Sequence, residues 1–212
     1  AVPCYYKHFK YLPGLLHSLM QQTSLPDEVV ISLSQVENLN GNELDQLESG
    51  PWPFSVRIIR REGVHMEGSN RTTAARHCRS DIVLCIDADD IPHPQRIEAV
   101  VELFTALPDV EMVLCGHAYC PGEAIVCERA IPFFTPEEYA QKRFELGSHI
   151  WVPLDVSGLT KWATGVHNGS PSIRRGLLDS GIYWTDLKNG ADLKFNSLVI
   201  SENHRAYLIQ LP

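Results

Sequence analysis

Apolar residues recur along the first half of the chain in two alternating rhythms. Residues 1–6 begin almost at once as a short strand-like run. Leu12, Leu15, Leu16 and Leu19 then fall at i, i+3, i+4 and i+7, one face of a helix, and Pro13 suits its first turn. Residues 28–34 (EVVISLS) and 54–60 (FSVRIIR) are rich in β-branched residues and predict two strands. Ser69 is placed to cap a helix over residues 70–79. Residues 81–87 (DIVLCID) form a continuous apolar run between acids, the pattern of a strand covered on both faces. Ile97, Val100, Val101 and Phe104 give the next helix, and residues 110–115 the next strand.

This alternation predicts an α/β fold: a central, mainly parallel sheet with helices on both faces. In such sheets ligands bind beyond the carboxyl ends of the strands. After about residue 117 the rhythm breaks. Thr135-Pro136-Glu137-Glu138 is a capping box that predicts a helix running to Glu145. A Trp- and Gly-rich stretch follows, then short helices near residues 172–179 and 190–200, and a final strand-like run over 207–212. The expected organisation is a single domain of two halves, 1–116 and 117–212, cut from a longer chain that carries further domains.

Composition narrows the classes. The 212 residues are 44% hydrophobic and 21% charged, ordinary for a globular chain with a substantial core. The net charge of −8 and the lack of a basic stripe argue against nucleic acid. No apolar run approaches the ~18 residues of a transmembrane segment. The six cysteines match no zinc spacing; Cys85 and Cys115 sit in apolar runs as buried thiols, and Cys120 and Cys127 are the one pair placed to bridge. Free thiols without a secretory segment predict a reducing, cytoplasmic location.

The sharpest chemical feature is Ile86-Asp87-Ala88-Asp89-Asp90, at the end of a predicted buried strand. Three carboxylates there are costly unless something positive joins them. Oxygen ligands on a strand end suit Mn²⁺ or Mg²⁺, which keep waters and take further ligands from substrate phosphates. The plainer reading is an acidic loop capping the next helix, with Pro92 and Pro94 marking its start.

Gly68-Ser69-Asn70-Arg71-Thr72-Thr73-Ala74-Ala75-Arg76-His77, followed by Asp81 to Asp90, resembles the family 2 glycosyltransferases of the GT-A (nucleotide-diphospho-sugar transferase) fold. That family carries a small-residue helix, a hydrophobic strand and an Asp-x-Asp-Asp motif. Val2-Pro3-Cys4-Tyr5-Tyr6 looks like its first strand, and Pro26-Asp27-Glu28-Val29-Val30-Ile31 like its second. The resemblance covers residues 1–105 closely and the rest loosely. It implies a UDP-sugar donor, a glycan or other hydroxyl acceptor, and a divalent metal. It implies that Pro3 and Tyr5 line the base pocket and that Arg76 and Arg71 approach base or diphosphate. Asp87 and Ala88 would sit at the donor, with Asp89 and Asp87 on the metal. For both arginines the plainer reading is a solvated helix face. The second strand departs from the family's Asp-Asp-Gly-Ser ending: Ser32 and Ser34 offer hydroxyls to a base but no charge, and uracil is the default.

On the acceptor side, Gly169 to Arg175 looks like the segment before the family's Glu-Asp motif, and Asn189-Gly190-Ala191-Asp192-Leu193 like the motif itself, with Ala191 in place of Glu. Asp192 is therefore the candidate general base of an inverting transfer; its plainer reading is a helix start. Asp186 and Asp155 are weaker candidates. Trp151, Trp162 and Trp184 fit core packing for at least two of the three, and sugar stacking otherwise. His167 and His204 read as structural before ligating. Three rival functions remain, one of them a nucleotidyltransferase of similar sheet architecture, whose Gly-rich, basic loop after the first strand is replaced here by Tyr5-Tyr6-Lys7-His8. A haloacid-dehalogenase-type phosphatase shares the D-x-D after a strand but wants Thr or Val soon after it, where Ile91-Pro92 stands. A non-catalytic nucleotide-sugar-binding module is favoured only by Ala191 and the missing strand-end Asp.

Overall fold

A computed structural model describes residues 1–115, 143–154, 171–188, 190–202 and 204–210. Cys120, Cys127, the capping box at 135–138, Asp155, Trp162, His167, Gly169, Ser170 and Asn189 lie outside them.

The first half alternates as the pattern predicts. Strand β1 (Val2–Tyr5) leads through a 3-10 turn (Tyr6–Tyr11) into helix α1 (Leu12–Met20), whose Leu12, Leu15, Leu16 and Leu19 are all buried. Strand β2 (Glu28–Ser34), helix α2 (Gly41–Glu48), strand β3 (Ser55–Arg61) and helix α3 (Glu67–His77) follow. Then come β4 (Ile82–Leu84), α4 (Arg96–Ala106) and β5 (Val110–Cys115). The described part of the second half holds β6 (Phe144–Leu146), β7 (His149–Leu154), β8 (Ser172–Arg174), a short helix α5 (Gly176–Asp179), α6 (Ala191–Ser201) and β9 (Arg205–Gln210).

β1, β2 and β3 form an all-parallel sheet, with Pro3 opposite Ser32 and Ser32 opposite Ile59. A second sheet runs β4-β8-β5-β9-β7-β6, in which β5 and β9 are parallel and the other pairs antiparallel. The two sheets are stitched at Ala1. Its ammonium donates to Leu84 O at 2.7 Å, and Ile86 N donates to Ala1 O at 3.1 Å. This seam carries β1 alongside β4, so the carboxyl ends of both strands open onto one region.

Four expectations need correction. Helix α3 starts at Glu67 rather than Asn70, with Met66 at its cap; Ser69 lies inside the helix and its hydroxyl accepts from Arg61. The strand expected over 81–87 is ordered as a strand only over Ile82–Leu84, because Cys85 and Ile86 donate instead to Pro171 O and Ala1 O. The helix expected to reach Glu145 does not: Phe144–Leu146 pairs antiparallel with β7. Ser172–Arg174, expected as helix, is strand β8, wedged between β4 and β5.

Three apolar clusters fill the body. One lies between β1, β2, α1 and α2, and another includes Ala74, Ala75, Val83, Trp184, Phe195 and Val199. A third gathers Val100, Leu103, Phe104 and Trp151 against β5 and β9. Trp151 and Trp184 are both in the core, as expected for at least two of the tryptophans. Cys4, Cys78, Cys85 and Cys115 are buried free thiols, and burial pushes Cys85 up to about 11. His204 pairs with Glu111, a structural contact. Among the described residues no helix is long and apolar enough to cross a membrane.

One buried amide binds the carboxyl ends of the parallel strands together. Asn70, on α3, donates from Nδ2 to Cys4 O at 3.1 Å and to Ser34 Oγ at 3.0 Å. Its Oδ1 accepts from Ser32 Oγ at 3.2 Å and from Arg61 Nη1 at 2.9 Å. β1, β2 and β3 thus each contribute to one side chain. Asn70→Ala leaves these buried groups without partners, and each unpaired group costs about 1–3 kcal/mol. We expect a loss of about 2–4 kcal/mol in denaturant unfolding, well above that of a typical surface substitution.

Candidate active site

The site grows from helix α3, which crosses the ends of β1 and β2. Its first turn carries Glu67 and its second Arg71. The Arg71 side chain is fully buried, yet it meets three carboxylates. Nη2 donates to Asp87 Oδ1 at 2.6 Å and to Glu67 Oε1; Nη1 donates to Asp192 Oδ1. Asp87 comes from the loop after β4 and Asp192 from the first turn of α6, 105 positions further along the chain. Two of the candidate residues, one from each half, therefore meet on one guanidinium.

Packing explains why α6 can bring Asp192 there. A Cβ added at Gly68 would run into Thr185 O and crowd Ala191 Cβ, so only glycine lets α3 approach this segment. Thr72 Oγ1 donates to Trp184 O at 3.0 Å. Trp184 stacks on Phe195 of α6 with ring centroids 3.8 Å apart, at 14°. Gly190, at φ 76°, turns the chain into the helix in a left-handed conformation that favours glycine. Ala191, standing where the resemblance expects Glu, is buried against Gly68.

The loop bearing Asp87 is anchored on both flanks. Asp90 N donates to Asp87 O at 3.1 Å, closing a turn. Beyond it, Gln22 Nε2 donates to His93 O at 2.8 Å, and Thr23 N to Pro94 O at 2.9 Å. Ala88 is buried in the first-half core, and of its two neighbouring acids Asp89 is exposed while Asp87 is largely buried against Arg71. Asp89 is 47% exposed at the side chain, with His8 Nδ1 3.8 Å away. His8 in turn lies against the Tyr5 ring at 4.4 Å between centroids, and Tyr5 is 36% exposed.

The other candidates are placed as follows. Pro3 is buried within β1 beside Ser32. Ser32 is fully buried with its hydroxyl on Asn70, and Ser34 accepts from the same amide. Arg76 is exposed on the far turn of α3, its guanidinium 5.4 Å from the Tyr183 ring centroid. The structure thus brings together Arg71, Asp87 and Asp192, sets Asp89 with Tyr5 on the neighbouring rim, and leaves Ser32 and Arg76 outside this cluster. Sequence reasoning missed Glu67, Asn70 and His8. Glu67 stands four residues before Arg71, the helical spacing for an ion pair, which is the signal that would have found it.

Electrostatically the cluster is short of positive charge. Burial pushes Asp87 from its ordinary 3.8 up to about 6, with Arg71 opposing and Glu67 adding to the rise. For Arg71 burial works against the charge, but Asp87, Asp192 and Glu67 outweigh it and hold the guanidinium ionised. Among the described residues no three His, Cys, Asp or Glu side chains are grouped to hold a metal ion by themselves. The donor set still fits a hard divalent cation. Asp89 presents an exposed carboxylate beside a partly buried one, and Mg²⁺ sites commonly use one or two carboxylates with substrate phosphates supplying the rest.

Comparison with known proteins agrees with this architecture. Residues 1–157 match the family described as Glycosyl transferase family 2, and the chain belongs to that family. An uncharacterized glycosyltransferase of Haemophilus influenzae is 28% identical over 153 residues, covering 70% of this chain and 48% of that protein. Among solved structures, S. aureus TarS in complex with UDP superposes with a TM-score of 0.65 at 16% identity, covering 99% of this chain and 56% of that one. The mannosyltransferase PcManGT of Pyrobaculum calidifontis, in complex with GDP-Man and Mn²⁺, gives 0.64 at 17%, covering 99% and 55%. The fold is that of the GT-A glycosyltransferases, and the chain spans about half the length of these relatives.

The raised carboxyl of Asp87 has a measurable consequence. Between about pH 4 and about pH 6 the folded chain holds a proton at Asp87 that the unfolded chain has released. The contribution of this group to stability is therefore complete below about pH 4 and is lost as pH rises through about 6. The stability of wild type relative to Asp87→Asn should fall across that interval in urea unfolding series. A difference that is flat with pH would mean that folding leaves the Asp87 carboxyl unshifted.

Proposed function

We propose that this chain is the donor-binding and catalytic part of a glycosyltransferase. It moves a sugar from a nucleoside diphosphate, UDP by default, onto an acceptor hydroxyl with inversion. Residues 1–116 serve the donor and 117–212 the acceptor. The observation that carries this reading is the meeting of Asp87 and Asp192 on Arg71. An acid from the first half of the chain and an acid from the second are held on one guanidinium. Family membership supports the reaction class, and the nucleotide-sugar complexes of TarS and PcManGT support the donor class.

In the reaction the acceptor O–H gives its proton to the carboxylate of Asp192. The oxygen forms a bond to the anomeric carbon as the bond from that carbon to the diphosphate oxygen breaks. The diphosphate leaves with the electron pair, on the face opposite the attack. Asp89, assisted by Asp87, would hold a Mn²⁺ or Mg²⁺, which when bound offsets the charge growing on the departing diphosphate. Tyr5, at the end of β1, and Pro3, buried within that strand, are the residues this reading gives to the base. The second strand offers no carboxylate there, since Ser32 and Ser34 are both engaged with Asn70. Base selection then rests on shape and neutral hydrogen bonds, since Arg76 lies on the far turn of α3, outside the cluster.

Asp89→Asn should abolish Mn²⁺-dependent UDP binding in a thermal-shift titration while the unliganded melting temperature stays close to wild type. Equal UDP affinity of mutant and wild type in Mn²⁺ would overturn the assignment. A panel of UDP, GDP, CDP and dTDP in the same assay reads the base, with UDP expected to bind tightest.

Asp192→Ala should lower turnover by about 10²–10⁴-fold and leave UDP affinity unchanged, because the base acts only in the chemical step. NMR of the product should show the anomeric configuration opposite to the donor's. A retained configuration would remove Asp192 from the role of base. Slow release of free sugar from the donor separates a working transferase from a module that only binds.

A further inference from the structure

The proposed reaction uses Asp87 on one side and Asp192 on the other, and Arg71, expected to approach the donor, is instead fully buried between these two acids. Building on that reading, we propose that Arg71 is a positioning residue for the general base, setting the Asp192 carboxylate at a fixed place relative to the donor-side Asp87.

Geometry carries this. Arg71 has no exposed side-chain surface, and its buried Nε has no hydrogen-bond partner. Its grip is therefore concentrated in the two terminal nitrogens. Nη1 holds Asp192, and Nη2 holds Asp87 at 2.6 Å together with Glu67. A guanidinium is a planar, rigid fork, so two carboxylates held on its two tips have their separation set by covalent geometry. A lysine ammonium carries the same charge on a flexible stem and sets no such separation.

The surrounding backbone keeps the fork in place. Gly68, one turn before Arg71, lies against Thr185 O, and Thr72, next to it, holds Trp184 O. Trp184 stacks on Phe195, three residues beyond Asp192 on the same helix. Arg71 itself stays charged, so it neither takes nor gives the proton. It acts through Asp192, in keeping the base ionised and at the right distance.

The test is a double-mutant cycle on the whole chain, comparing Arg71→Lys, Asp192→Asn and the double variant. Kinetics of sugar transfer and UDP titration with Mn²⁺ are read together. A misplacement of about 1 Å can cost about 10²-fold, so Arg71→Lys should lower kcat by roughly 10–100-fold. UDP affinity should stay within about threefold of wild type. In the Asp192→Asn background the same substitution should cost nothing further, because residues acting as a unit are not additive. Equal losses in both backgrounds would show Arg71 to be a general structural residue and overturn the inference. So would a rise in donor Kd with kcat unchanged, which would make it a donor ligand.

Gly68→Ala gives an independent arm if Arg71→Lys fails to fold. It leaves every charge in place but pushes α3 away from the segment entering α6. Its kcat loss should likewise vanish in the Asp192→Asn background, and persistence of that loss would overturn the inference. Asp192→Asn alone with wild-type kcat would overturn both the base assignment and the role of Arg71. A normal Asp192 effect with additive Arg71 and Gly68 losses would overturn only the latter.

Discussion

The structure turns on one buried cation shared by three acids. Arg71 is closed off from water, and Glu67, Asp87 and Asp192 converge on it from three separate segments. The group carries more negative than positive charge, and burial, with Glu67 adding to it, raises the Asp87 carboxyl against the pull of Arg71. Much of the neighbouring architecture follows from having to build such a group. α3 must begin early enough to place Glu67 one turn before Arg71. β4 must end early enough to release Asp87 into a loop, and α6 must start against Gly68 to bring Asp192 in.

A second, uncharged hub holds the floor beneath this group. Asn70 is the residue before Arg71, and its amide joins the ends of β1 and β2 while Arg61 reaches it from β3. Adjacent residues on a helix point about 100° apart. One turn of α3 therefore serves two purposes, with Asn70 facing the parallel sheet and Arg71 facing the acids. The ends of β1 and β2 are held by a neutral amide, and the buried guanidinium belongs to the next residue.

The alternation of strands and helices through residue 115 was legible because each element there buries a whole face. The leucine spacing of α1 and the apolar runs of β2 and β5 leave little choice of period. The start of α3 was not, since its helix has almost no amphipathic contrast: Gly68, Asn70 and Arg71 are buried alongside Ala74 and Ala75. A polar residue buried by its partners looks, in a sequence, like one exposed to solvent. For the same reason Arg71 and Arg76 were indistinguishable on the page, although one is fully buried and the other exposed. The acids of residues 87–90 stood out because a strand end is a poor place for three carboxylates. Ser172–Arg174 was misread because a three-residue strand inserted between β4 and β5 is defined by partners far away in sequence.

Stability alone does not account for the Arg71 group. Taking a guanidinium out of water costs several kcal/mol even after relaxation, and buried ion pairs often do no better than apolar residues of the same volume. Here the cost is raised further, because Nε is buried without a partner and the acids outnumber the cation. Apolar side chains replacing the whole group would avoid those penalties, whereas replacing Arg71 alone would strand Asp87 and Asp192. What such apolar side chains would not supply is a fixed spacing between a carboxylate from the first half of the chain and one from the second. Nor would they leave residual negative charge near the exposed carboxylate of Asp89. Under the proposed function geometry and charge imbalance are both used, whereas a staple between two helices would need neither.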